Sequence, residues 1–152
     1  LLKPMRQTTD LTTLNDAEVL AEMTACIFRA GFVWRVITAK WPGFEKAFHD
    51  FDVTRCAMLS DEEIEELTRN TDIVRHGTKI ASVRANALYI LDIRAEHGSF
   101  GRFMADWPES DFVGLWMHLK KTALAWAVKP VATVYVFWAM TRQSYRKMWS
   151  LP

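Results

Sequence analysis

From Asn15 onward the apolar residues of this chain return every three or four positions, and that period constrains its fold more than any other feature. Val19, Leu20, Met23, Ile27 and Phe28 fall along one stripe of an α-helix. Asn15, followed three residues later by Glu18, is a capping-box signature for its start, and Gly31 marks its end. A second helix is predicted to carry Trp34, Ile37 and Trp41 until Pro42 and Gly43 stop it, with Phe44, Phe48 and Phe51 on a short aromatic-faced helix beyond. Ser60 and Glu63 supply another capping box, for a helix bearing Ile64 and Leu67 whose acidic face over residues 61–66 reads as solvated surface. A long helix from Thr78 places Ile80, Val83, Ala87, Leu88 and Leu91 on one stripe and leaves Lys79, Arg84, Asn86 and Arg94 mostly off it. No strand-like alternation interrupts these patterns, so the expected fold class is all-α.

The chain has 152 residues, 50% of them hydrophobic and 24% charged, which is single-domain size with enough apolar surface for a real core. A formal net charge of +1 gives no global basic signal, so nucleic-acid binding would require a local patch. Cys26 and Cys56 lie in apolar helical patterns with no close pairing, which fits free thiols in a reducing compartment. The first fourteen residues show no apolar signal core or cleavage site, and a start without Met reads as truncated or processed. The expected location is the cytoplasm.

Residues 71–87, TDIVRHGTKIASVRANA, join a loop Arg-His-Gly-x-x-Lys to a long helix that repeats basic and amide side chains. Together with AGFVWRVITAKWPGF at 30–44, KAFHDFD at 46–52 and ADWPESDFVGLWMHLKK at 105–121, they resemble the DNA-3-methyladenine glycosylase I family in order and spacing. That family belongs to the helix-hairpin-helix glycosylase superfamily. The resemblance implies that Trp34 lines a pocket for an extruded base, where a flat aromatic surface stacks on a purine. Phe32 and Cys26 are the other base-pocket candidates, although from spacing alone Trp34 would be assigned to the core. Better-known members carry a Glu in the helix before this Trp, and an ungapped alignment puts Cys26 there. A thiol does not replace a carboxylate, so the catalytic residue is left open. Arg75, His76, Lys79, Arg84, Lys120 and Lys121 are the candidate DNA contacts, because cationic donors near a helix start can hold phosphates without reading sequence. Solvated surface charge is the alternative reading of these residues, and capping is the alternative for His76.

Those members also bind zinc through Cys and His near their two ends. Here His49, His76, His97 and His118 are scattered, without ligand spacing, so neither metal nor cofactor is expected. After Asp111 the chain has no acidic residue, and after Gly114 no glycine. The glycine-rich hairpin turn that lets backbone amides approach a phosphate is therefore missing from its expected place. A membrane helix over 122–140 is disfavoured by Lys129 and Pro130 at its centre. Reading from the third base of each codon, the Trp126/Ala127 and Trp138/Ala139 junctions each force glycine, and Met140/Thr141 forces aspartate. This spacing suits the family's hairpin translated in a shifted frame; a divergent hydrophobic tail is the alternative.

These readings give an N-terminal extension at 1–14, a helical glycosylase-like domain at 15–121 and an atypical tail at 122–152 with the hairpin disrupted. The function implied by the resemblance is base-excision repair, by hydrolysis of the N-glycosidic bond of an alkylated purine flipped out of duplex DNA. No membrane and no obligatory protein partner are expected. The rival readings are a non-catalytic DNA-binding domain and an inactive, degenerate glycosylase.

Overall fold

The computed structural model describes residues 14–108, together with Thr12 and residues 111, 113–115, 117 and 118. Lys120, Lys121 and the tail at 122–152, with both readings of it, lie outside the described residues. Helices α1 (Asp16–Arg29), α2 (Trp34–Ala47), α3 (Val53–Ala57), α4 (Asp61–Leu67), α5 (Gly77–His97) and α6 (Phe100–Asp106) follow one another, with a tight turn at His49–Phe51. No strand occurs among the described residues, and the fold class is all-α as expected. None of the described helices is long and apolar enough to cross a membrane.

The stripe of α1 is buried as its period requires: Val19, Leu20, Met23, Ile27 and Phe28 all lie in the core. Asn15 caps the helix by accepting from the Ala17 amide at 2.8 Å, one position earlier than a reciprocal box with Glu18 requires. The box at α4 forms in full, with Ser60 and Glu63 exchanging both bonds. The acidic residues of α4 remain exposed.

Two expectations are corrected. Pro42 and Gly43 do not end α2, which continues to Ala47. Proline there removes one backbone hydrogen bond, but glycine provides something the packing needs. A Cβ on Gly43 would stand 2.3 Å from the Asp72 carbonyl oxygen. The loop before α5 therefore lies directly on the α2 backbone, and Lys40 Nζ holds it by donating to the Thr71 carbonyl at 2.7 Å. Phe44 thus belongs to α2, while Phe51 returns to the core through three successive left-handed residues, His49, Asp50 and Phe51, with φ of 53°, 54° and 57°. Such backbone costs about 1–2 kcal/mol per residue. It is offset by a stack of rings, Trp41 to Phe51 at 5.3 Å and Phe48 to Phe51 at 5.7 Å.

The second correction concerns α5. Ile80, Val83 and Ala87 are buried, but so are Ser82 and Asn86, whereas Leu88 is 45% exposed. The helix packs against α1, α3, α4 and α6, so neighbours on several sides override a single-stripe reading.

Helices α1 and α5 run antiparallel and are joined at both ends. Asp16, at the start of α1 and 7% exposed, accepts from Arg94 Nε at 2.8 Å and from the Phe100 amide at 2.9 Å. One carboxylate thus fixes the end of α5 and the start of α6. At the opposite end, Lys79 of α5 reaches the last carbonyls of α1. Asp16→Ala should cost about 2–3 kcal/mol, less than a fully buried pair because Arg94 keeps access to water. Gly43→Ala should cost about 2 kcal/mol, since the atom it meets is backbone. Urea unfolding of each variant measures both.

Candidate functional site

Helix α1 ends in a short turn that projects aromatic side chains. Ala30 caps it, donating to the Cys26 carbonyl at 3.2 Å, and Gly31 takes φ of 84°. That left-handed conformation reverses the chain within four residues, and glycine adopts it without the penalty other side chains incur. Phe32 follows, donating from its amide to the Arg29 carbonyl at 3.3 Å. Trp34 then becomes the first residue of α2. The turn carries an exposed apolar ridge of Phe32, Val33, Trp34 and Val36, with Trp34 43% exposed. Ridges of this composition on an otherwise closed core mark contact surfaces.

Lys79 determines where the ridge points. Its ammonium donates to the Ile27 carbonyl at 2.8 Å and to the Ala30 carbonyl, the orphan acceptors of the α1 C-terminus, where a cation also meets the negative end of the helix dipole. The same nitrogen lies 4.6 Å from the Phe32 ring centroid. Lys79, expected to contact phosphate, makes these internal contacts in the free protein. His76 caps α5, its Nδ1 accepting from the Lys79 amide at 3.3 Å, and its ring meets Phe32 edge-on at 6.2 Å. Acceptance at Nδ1 leaves the ring's proton on Nε2 in the neutral form.

Arg84 is also committed within the fold. It donates to the Leu59 carbonyl at 2.9 Å and pairs with Asp61 at 2.8 Å, holding the junction of α3 and α4 against α5. Arg75 is exposed in the loop preceding His76. Of the candidate DNA contacts, His76 stands beside the turn with exposed Arg75 next to it in sequence, Lys79 bonds to the end of α1, and Arg84 bonds to Leu59 and Asp61.

Behind Trp34, the last two turns of α1 carry Cys26 and Arg29. Both cysteines are free thiols. Burial pushes the Cys26 thiol up to about 11, Glu22 adding to the rise and Arg29 opposing it. Cys26 is therefore neutral near pH 7 and supplies no charge to a ligand. Arg29 places its guanidinium 5.5 Å from the Trp34 ring centroid. Glu22, one turn before Cys26, was not among the sequence candidates because it reads as an ordinary polar helix residue. Its spacing to Cys26 and Arg29, i, i+4 and i+7, is the signal that finds it. Burial raises its carboxyl above the ordinary range, partly countered by Arg29, with Glu18 adding to the rise.

A separate cleft of about 330 Å³ opens near the end of α2, lined by Ala47, His49, Leu59, Glu63, Glu66, Leu67 and Asn70. It lies about 20 Å along α2 from Trp34. The Ser60 amide and hydroxyl hold the Glu63 carboxyl below its usual range, so the cleft presents negative charge and repels a polyanion.

The family model for methyladenine glycosylase matches residues 11–128. The chain belongs to the methyladenine glycosylase family. It is 29% identical over 92 residues to DNA-3-methyladenine glycosylase 1 of Escherichia coli (strain K12), covering 59% of this chain and 49% of the relative. It is 26% identical over 76 residues to DNA-3-methyladenine glycosylase of Haemophilus influenzae, covering 50% and 41%. The chain thus spans about half the length of these curated relatives or less. Among solved structures, the 3-methyladenine DNA glycosylase I of Staphylococcus aureus, described for its recognition of 3-methyladenine, superposes with a TM-score of 0.63 at 26% identity, covering 84% of this chain and 77% of that one.

In this methyladenine glycosylase family member the turn after α1 is held by one lysine, and the neutral thiol of Cys26, one turn before the end of α1, packs against the core. Iodoacetamide labelling of Cys26 should accordingly be slow at about pH 8 and rise steeply above about pH 10, as a thiolate forms only near its raised pKa. Mass spectrometry of the Cys26 peptide across pH measures this, and fast labelling at neutral pH would contradict the burial described here.

Proposed function

We propose that this chain is a base-excision glycosylase that binds duplex DNA, extrudes a 3-methyladenine-like alkylated purine and hydrolyses its N-glycosidic bond with water. The observation that carries the reading is Trp34, a large aromatic left half-exposed at a turn whose direction is fixed by the Lys79 bonds to α1. An exposed tryptophan on a rigid mount suits base stacking, because little ordering remains to be done on binding. The relatives' names and the base recognised by the Staphylococcus aureus protein support the same substrate class.

The chemistry asks little of acid catalysis. A 3-methylated adenine is cationic on its sugar, which weakens the glycosidic bond and makes the departing base neutral. Binding and orientation then supply much of the acceleration. Phe32 flanks the turn as part of the base pocket, Cys26 lines it, and Arg75 and His76 approach the backbone, with Lys120 and Lys121 as further phosphate contacts. Lys79 acts as a positioning residue. On this reading the protein works on nucleoid DNA in the cytoplasm, with no cofactor, metal or obligatory protein partner. The neutral thiol at Cys26 favours one other reading, a domain that holds damaged DNA without cleaving it.

Release of free base from N-methylated duplex DNA, followed by chromatography, separates the two. The expected result is enzymatic release, reduced about 5- to 150-fold in kcat/KM by Trp34→Ala, the range that corresponds to losing one stacked base. Tight binding of alkylated DNA without release would establish the binding domain instead. Neither release nor binding would remove both readings.

A further inference from the structure

Trp34 already holds a planar cation. The Arg29 guanidinium carbon is 5.5 Å from its ring centroid, within the range where an aromatic face attracts delocalised positive charge. Arg29 Nε is buried without a hydrogen-bond partner, so no hydrogen bond at that nitrogen anchors the group. A buried donor left unpaired favours departure, because leaving restores its hydration. Two turns earlier on the same face of α1 stands Glu22, electrostatically coupled to Arg29. Cys26, between them, is neutral. Of the two carboxylates on this face, Glu18 and Glu22, Glu22 lies one turn nearer Trp34 and is the one placed to compensate a cation resting there.

An N-alkylated purine still attached to its sugar shares the properties of the guanidinium: it is planar, delocalised and positive. We propose that Arg29 is a placeholder in the base site of the free protein, that an N-alkylpurinium cation takes its position on Trp34, and that Glu22 is the counter-ion making the site prefer a cation to a neutral purine. This inference rests on the glycosylase reading above and assigns the two residues that set its preference for the cationic base. It gives the two residues opposite signs: Arg29 competes with the base, whereas Glu22 attracts it. A merely structural role for the pair would make loss of either residue weaken binding.

Isothermal titration of the full chain with 3,9-dimethyladeninium, whose charge is fixed, and with neutral 9-methyladenine tests both assignments. The wild-type chain should bind the cation more tightly than the neutral base. Arg29→Ala should tighten cation binding about two- to thirtyfold, the range of a released cation–π contact. Should Arg29→Ala not fold, Arg29→Lys, which keeps the charge but not the planar group, should shift affinity in the same direction by less. Glu22→Gln should weaken the cation about fivefold and leave the neutral base unchanged. Weaker or unchanged cation binding on replacing Arg29, no effect of Glu22→Gln on the preference, or no preference in the wild-type chain would each overturn the proposal. Base release from alkylated DNA, measured in parallel, keeps the two levels apart. Release without these affinity changes defeats only the placeholder, and absence of release defeats the glycosylase reading on its own.

Discussion

The ammonium of Lys79, set among the last carbonyls of α1, is the interaction on which the rest of the site depends. Those carbonyls have no partner within the helix, and a cation there is favoured by both hydrogen bonding and the helix dipole. Its counterpart is Asp16, which ties the opposite end of α1 to Arg94 and Phe100. Lys79 and Arg94 are separated by about 22 Å of helix rise, close to the length of α1 itself. Two antiparallel helices of matched span are thus clamped at both ends. The clamp fixes the direction in which Gly31 turns the chain, and hence where Phe32 and Trp34 project.

That rigidity bears on the chemistry. Where the leaving group carries its own positive charge, a protein gains most by presenting a surface already in place and excluding alternatives. A half-exposed tryptophan on a locked helix start does this without a strongly acidic partner. The neutral Cys26 of α1 is compatible with such chemistry, because the departing base needs no proton from the protein. The acidic cleft at the far end of α2 has the opposite character, lined by the carboxylates of Glu63 and Glu66 and by no tryptophan, tyrosine or phenylalanine.

Much of this was legible in the sequence where burial is one-sided. The α1 stripe and the Ser60 capping box follow from local rules, and the structure reproduces them. Legibility fails where a residue serves a distant neighbour. Pro42 and Gly43 look like a stop signal, but the approach of the Asp72 backbone gives the glycine its purpose, and no local pattern encodes that contact. Asn86 looks solvent-facing on a single-stripe helix, yet α5 has neighbours on several sides. Lys79 and Arg84 read as phosphate donors because charge normally faces water, and the internal carbonyl partners they also have, 49 or more and 25 positions away, follow from no local pattern. Trp34 was readable only through the family resemblance. Glu22 was hidden by its ordinary appearance, although its register with Cys26 and Arg29 was available in the sequence.

The turn after α1 is the place proposed for the modified base. Two-dimensional amide and indole NMR spectra of the full chain, recorded with and without free 3-methyladenine, test this placement. The largest shifts are expected at the Trp34 indole and at the amides of Ala30, Gly31 and Phe32, with Glu63, Glu66 and Asn70 unmoved. Shifts centred on the acidic cleft, or none at the turn under saturating base, would contradict it.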